Sequence, residues 1–178
     1  MSKSVRIHGE DFTLFIHKDE IATTTERLSK EINKDYASKH PLFIIMLNGA
    51  FIFGSDLLRQ VTIPCDITMA KTKSYSGMAT TGEVKLLLEP EAEMSGREIV
   101  IIEDILDTGN TLDFFINYLN AKGPDSIEIV SLLSKPAAHQ HDINIKYLGK
   151  KIPNDFVIGY GLDFDGQGRN LCHIYKKI

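Results

Sequence analysis

The sequence predicts an α/β fold: a mainly parallel sheet flanked by helices, with a small hood formed from the N- and C-terminal segments. Three observations carry this expectation. Leu42-Phe-Ile-Ile-Met-Leu47 and Ile99-Val-Ile-Ile102 are unbroken apolar runs, which suit strands covered on both faces. Segments with apolar residues at helical spacing alternate with such runs. The second run leads straight into Glu103-Asp104, and Asp107 then opens a Thr-Gly-Asn-Thr turn ahead of an amphipathic stretch.

Taken in order, residues 5–15 are short and mixed, with Ile7, Phe12 and Leu14 suggesting an edge strand or a docked arm. From Asp19 to about Tyr36, Ile21, Leu28 and Ile32 mark one face of a helix that ends before His40-Pro41. Leu42 to Leu47 is the first central strand. It ends in Asn48-Gly49-Ala50, and Phe51, Leu57 and Leu58 then outline a short helix closing near Arg59. Residues 64–73 read as a further strand. The small, polar stretch 74–82 is a candidate mobile loop, and residues 84–88 return from it as a strand. After the 99–112 motif, Leu112, Phe115, Ile116 and Leu119 recur at i, i+3, i+4, i+7, and Lys122-Gly123-Pro124 stops the helix. Residues 126–133 form another strand that ends at Lys135-Pro136. Residues 143–148 and 155–160 are short extended segments, and a glycine-rich loop precedes a last strand over 171–175. One domain spans 1–178, with the core over about 13–158 and the hood from about 1–12 and 159–178.

Composition narrows the function classes. Asp and Glu outnumber Lys and Arg by 24 to 20, a formal charge of −4, which argues against non-specific binding to nucleic acid. Cys65 and Cys172 are the two cysteines, too few for a disulfide framework or a cysteine-bound zinc. No apolar run approaches membrane-spanning length and Met1-Ser-Lys-Ser-Val lacks a signal-peptide core, so a cytoplasmic protein with no membrane partner is expected.

The 99–112 motif has a physical reading of its own. Its turn lies between a strand's carboxyl end and a helix's amino end, where open α/β sheets bind ligands. Free backbone N–H groups and the positive end of the helix dipole favour phosphate there. Thr108 and Thr111 add hydroxyl donors, and Gly109 lets the backbone approach the ligand. Glu103 and Asp104 beside a phosphate suit vicinal hydroxyls or a hard divalent cation such as Mg²⁺.

The run from Glu103 to Thr111 resembles the phosphoribosyl-pyrophosphate signature of the purine phosphoribosyltransferases. Four more segments follow the same order: Leu47-Asn48-Gly49 resembles the family's pyrophosphate loop, Ser74-Tyr75 its mobile catalytic loop, and Ser134-Lys135 its purine-contacting lysine segment. Phe156-Val157-Ile-Gly-Tyr-Gly-Leu-Asp163 with Arg169 resembles its base and pyrophosphate site. Together these matches resemble the hypoxanthine-guanine phosphoribosyltransferases, whose type I fold has a Rossmann-like sheet. Two positions depart from the pattern: Asn48 and Asn110 stand where many relatives carry lysine, or lysine or glycine. The family's contacts at the first are largely through backbone, so activity is expected to survive, and Asn48 leaves possible the family's cis peptide before that position.

The resemblance implies transfer of 5-phosphoribose from phosphoribosyl pyrophosphate to N9 of hypoxanthine or guanine, with Mg²⁺ as cofactor and a homodimer or homotetramer as the assembly. It implies that Glu103 and Asp104 hold the ribose hydroxyls directly or through the metal. Asp107 is the implied general base, and Thr108, Gly109, Asn110 and Thr111 cradle the 5′-phosphate. Helix N-capping is the bland alternative for Asp107. Lys135 is implied to donate to the purine O6, Phe156 to stack on the base, and Val157 to present backbone groups to its edge. Asp163 is implied to belong to the purine site and to take a second Mg²⁺ on the pyrophosphate, Asn48, Gly49 and Arg169 to hold the pyrophosphate, and Ser74 and Tyr75 to close over the reacting centre. Two other readings compete: a nucleotide-sensing, RNA-binding regulator with the same fold, which needs a basic face, and a phosphorylatable receiver domain, which gives Lys135, Phe156 and Arg169 no shared role.

Overall fold

A computed structural model of the chain describes residues 3–74 and 84–178. It opens on a hairpin of β1 (Ser4–Ile7) and β2 (Glu10–Ile16). The turn at His8 and Gly9 has positive φ at both residues, +50° and +81°, the pattern of a two-residue hairpin turn whose twist matches its strands. Residues 5–15, expected as an edge strand or a docked arm, are therefore two paired strands.

Helix α1 (Lys18–Asp35) buries Ile21, Leu28 and Ile32 on one face. Strand β3 (Leu42–Leu47) is almost wholly buried, and α2 (Phe51–Leu58) follows it after a cis Leu47–Asn48 peptide. Strands β4 (Asp66–Ser74) and β5 (Val84–Leu88) pair antiparallel. Strand β6 (Glu98–Leu106) continues past its apolar run, so Glu103 and Asp104 lie within the strand rather than beyond its edge. Their partner β7 (Ser126–Ser134) extends the ladder to Leu106↔Ser134, with α3 (Asn110–Asn120) between the two.

The last elements depart from the sequence expectation in position. Strand β8 (Tyr147–Lys151) begins where the expected 143–148 segment ends, because its register is set by Val130↔Tyr147 on β7. Within 155–160 only β9 (Val157–Ile158) is strand, and β10 (Ile174–Lys177) starts three residues later than the expected start at Leu171, since Leu171 closes a turn on Gly168.

Two sheets result. The larger has the order β5-β4-β3-β6-β7-β8, parallel throughout except for β5. Helices α1 and α2 pack together on one side, while α3 packs against β4 and β5. The chain winds outward from the centre in both directions, so β3 and β6 flank the switch point, where such sheets bind ligands beyond their carboxyl ends. The smaller sheet, β1-β2-β10-β9, is the hood. It takes in the chain as far as Ile16, which pairs with Ile174, and again from Val157, so its limits differ from the 12/13 and 158/159 divisions expected above.

Candidate active site

A cleft of about 350 Å³ opens at the switch point, between the carboxyl ends of β3, β6 and β7 and the underside of the hood. The loop after β3 forms one wall. A Cβ added at Gly49 would lie 1.9 Å from Asp104 Oδ2, so only glycine lets this backbone lie against the acid.

Strand β6 supplies the acidic wall. Asp104 is 8% exposed, and its Oδ1 accepts from the Ile105 amide at 2.8 Å, while Glu103 Oε1 accepts from the Asp104 amide at 3.2 Å. Burial, aided by the neighbouring Asp104 charge, pushes the Glu103 carboxyl well above the usual carboxylate range. Burial raises Asp104 too, against the opposing pull of its hydrogen bonds.

Beyond β6 the chain turns into α3 through Gly109, whose φ of +89° only glycine adopts freely. Gly109 itself occupies the N-cap position and no side chain caps the helix, so Asp107 is not the cap that its sequence position also allowed. A side cavity of about 90 Å³ lies here, lined by Thr108, Gly109 and Thr111 among others. Thr108 Oγ1 accepts from the Asn110 amide at 3.4 Å. The Asn110 side chain pairs with His141 Nε2 at 2.7 Å. His141 has no ligand spacing in the sequence that would single it out.

Asp107 instead meets Lys135 from the end of β7. Lys135 Nζ donates to Asp107 Oδ2 at 2.7 Å, and the lysine is 6% exposed. Its amide donates to the Leu106 carbonyl, which fixes the two strand ends side by side.

The hood contributes the opposite wall. Phe156 is 45% exposed toward the cleft, its ring set edge-on to Phe164 at 5.5 Å and tilted against Phe12 at 6.3 Å. Val157 is buried in β9. Asp163 Oδ1 pairs with Arg169 Nη2 at 2.7 Å, and Asp163 Oδ2 accepts from the Gly166 amide at 2.7 Å. Arg169 Nη1 donates to the Gly161 carbonyl at 2.7 Å.

The cleft thus gathers Gly49, Glu103, Asp104, Asp107, Thr111, Lys135, Phe156, Val157, Asp163 and Arg169. Thr108 and Gly109 line the side cavity, whereas Asn48 and Asn110 line neither. Ser74 is the last residue of β4, and Tyr75 lies outside the described residues. Thr72, Ile105 and Leu162 also line the cleft without having been singled out. Their types carry no chemical signal in a sequence. Among the described residues, no group of three or more His, Cys, Asp or Glu side chains is gathered as a metal site.

Chemically, the arrangement offers an N-terminal helix turn for a phosphate, paired acids beside it, and a cation paired with a carboxylate in a cleft that an aromatic ring also lines. The phosphoribosyl transferase domain model matches residues 16–165. A hypoxanthine-guanine phosphoribosyltransferase of Staphylococcus aureus is 36% identical over 169 residues, covering 94% of each chain. The bifunctional protein TilS/HprT of Listeria monocytogenes is 34% identical over 94% of this chain, which spans 26% of that protein's length. The crystal structure of a hypoxanthine phosphoribosyltransferase from Staphylococcus aureus superposes with a TM-score of 0.88 at 36% identity, covering 93% of this chain and 90% of that one.

Proposed function

Since the chain belongs to the phosphoribosyltransferase family, we propose that it is a hypoxanthine-guanine phosphoribosyltransferase of purine salvage. It transfers 5-phosphoribose from phosphoribosyl pyrophosphate to N9 of a 6-oxopurine, giving IMP or GMP and pyrophosphate. The observation that carries this reading is the 2.7 Å contact between Lys135 and Asp107 in the cleft. A donor and an acceptor side by side match the neighbouring O6 acceptor and N7–H donor of a 6-oxopurine. Adenine would turn its 6-amino donor toward an ammonium that can only donate.

In the step itself, the bond from C1′ to the pyrophosphate oxygen breaks and the oxygen leaves with the electron pair. N9 attacks C1′, and Asp107 accepts the proton from N7. Lys135 keeps O6 hydrogen-bonded as charge redistributes over the base, and Phe156 covers the ring. The helix turn over Thr108 to Thr111 holds the 5′-phosphate through N–H groups and hydroxyls. Glu103 and Asp104 face the ribose hydroxyls and offset the positive charge that develops on the sugar. Arg169, with the backbone at Asn48 and Gly49, meets the leaving pyrophosphate.

The residues present fit Mg²⁺. Buried Asp104 and half-buried Glu103, each disfavoured in its ionised form, are a donor set that a hard cation would relieve, and Mg²⁺ commonly takes one or two carboxylates with substrate phosphates. Glu103 and Asp104 would hold one ion and Asp163 another, supplying charge neutralisation on the leaving group. The test is product analysis: hypoxanthine, phosphoribosyl pyrophosphate and Mg²⁺ incubated with the protein should yield IMP and pyrophosphate in equal amounts. Recovery of neither product removes the reading.

A further inference from the structure

The turn carrying Asp163 and Arg169 is anchored from outside the cleft. Gly159, Tyr160 and Gly161 all have positive φ, at +100°, +51° and +103°. The glycines adopt this freely, whereas for tyrosine the left-handed region costs about 1–2 kcal/mol. Such strain persists where surrounding contacts over-determine it.

Tyr160 makes such contacts. Tyr160 is 8% exposed, and its hydroxyl donates to Asp56 Oδ2 on α2 at 2.8 Å. Ile21 and Thr25 of α1 line the same groove as the phenol, a groove of about 600 Å³ that shares no lining residue with the cleft. The side chain is thus committed to the helices, away from any substrate.

The neighbouring backbone is committed to the cleft. Gly161 accepts from Arg169 Nη1 at 2.7 Å and donates its amide to the Arg169 carbonyl at 2.9 Å. A Cβ added at Gly161 would lie 2.0 Å from the Gly49 carbonyl oxygen, so this backbone rests directly on the loop after β3. Gly161 is therefore clasped to Arg169 on one side and to Gly49 on the other. Moving Tyr160 moves all three.

We infer that Tyr160 and Asp56 are a positioning pair that sets Arg169 and the Gly49 loop for the pyrophosphate end of the substrate. This rests on the reading of the cleft given above. The pair touches no substrate, and burial together with the Asp56 carboxylate keeps the phenol protonated as the donor.

The test is steady-state kinetics on the full chain. Tyr160→Phe keeps the ring and removes the hydroxyl; it should raise KM for phosphoribosyl pyrophosphate about fivefold to tenfold, the loss of one charge-assisted hydrogen bond's leverage. KM for hypoxanthine should stay within about twofold, since Lys135, Asp107 and Phe156 are held by other contacts. Asp56→Ala should produce the same split, Asp56→Asn should restore near-normal constants because its amide oxygen still accepts, and the Tyr160→Phe/Asp56→Ala double variant should be no worse than the poorer single one. An unchanged KM for phosphoribosyl pyrophosphate in both Tyr160→Phe and Asp56→Ala overturns the inference, and so does an equal rise in both KM values, which marks general loosening. A wild-type chain with no turnover overturns the underlying reading as well, whereas an active wild type with unsplit variants overturns this inference alone.

Discussion

Lys135 Nζ lies 2.7 Å from Asp107 Oδ2, joining the adjacent ends of β7 and β6 within the cleft. The lysine side chain is 7% exposed and the aspartate 45%, so the carboxylate is the partner open to an incoming base. Asp107→Asn keeps the shape and an acceptor for Lys135 but removes the basicity. It should lower kcat by about 10²–10⁴-fold, the usual contribution of a general base, while leaving KM for phosphoribosyl pyrophosphate within about threefold. Unchanged turnover would remove Asp107 from that role.

Lys135→Ala leaves O6 without a charged donor. A hydrogen bond to a charged group contributes about 1.5–3 kcal/mol, so KM for hypoxanthine should rise roughly 10- to 100-fold. The preference for hypoxanthine over adenine should fall in parallel, because the mismatched ammonium is gone. Competition between the two bases in one reaction checks both effects.

Gly49→Ala tests the close packing of the loop after β3 on Asp104. The new Cβ would start 1.9 Å from Asp104 Oδ2, so loop or acid must move. Overpacking of this kind costs about 1–3 kcal/mol, and a lower melting temperature should accompany at least a tenfold weaker use of phosphoribosyl pyrophosphate. Thermal melts and KM measured together would show it; a variant with normal values for both contradicts the packing argument.

His173 gives a pH dependence remote from the cleft. Its Nδ1 accepts from the Lys18 amide at the start of α1 at 3.0 Å, and its ring lies 4.4 Å from that of His17. Burial, with the nearby His17 and Lys18 charges, holds its pKa below the usual histidine value of 6.5, against a smaller opposing effect of Asp19. The folded pKa lies below the unfolded one, so this stabilisation is complete above about pH 6.5 and is lost as the pH falls toward the folded value. Melting temperature should decline below about pH 6.5, and His173→Gln should flatten that decline.

Much of the fold was legible because burial on both faces leaves an unmistakable mark. The Leu42–Leu47 run coincides with β3, and the acids after Ile102 announced the cleft wall. The hood was harder to read. Its strands are short, and β2 finds its partner in β10 at the other end of the chain, Leu14 opposite Tyr175, a pairing no local pattern encodes. The apolar residues Ile143 and Ile145 mimic a strand, yet the β7 register places it from Tyr147 onward. In the cleft, Gly49, Glu103, Asp104, Asp107 and Lys135 sit in or just beyond strand ends and so were visible as types. The contacts of Lys135 with Asp107 and Asp163 with Arg169 depend on tertiary structure and were not. Tyr160 was hidden for another reason: it reads as the last residue of the extended 155–160 segment, and only the structure reveals its positive φ and its hold on Asp56.

The most direct measurement is a parallel spectrophotometric assay of hypoxanthine, guanine, xanthine and adenine with phosphoribosyl pyrophosphate and Mg²⁺. Paired to Asp107, Lys135 predicts turnover of hypoxanthine and guanine and none of adenine. Turnover of adenine alone, or of no base at all, would contradict it.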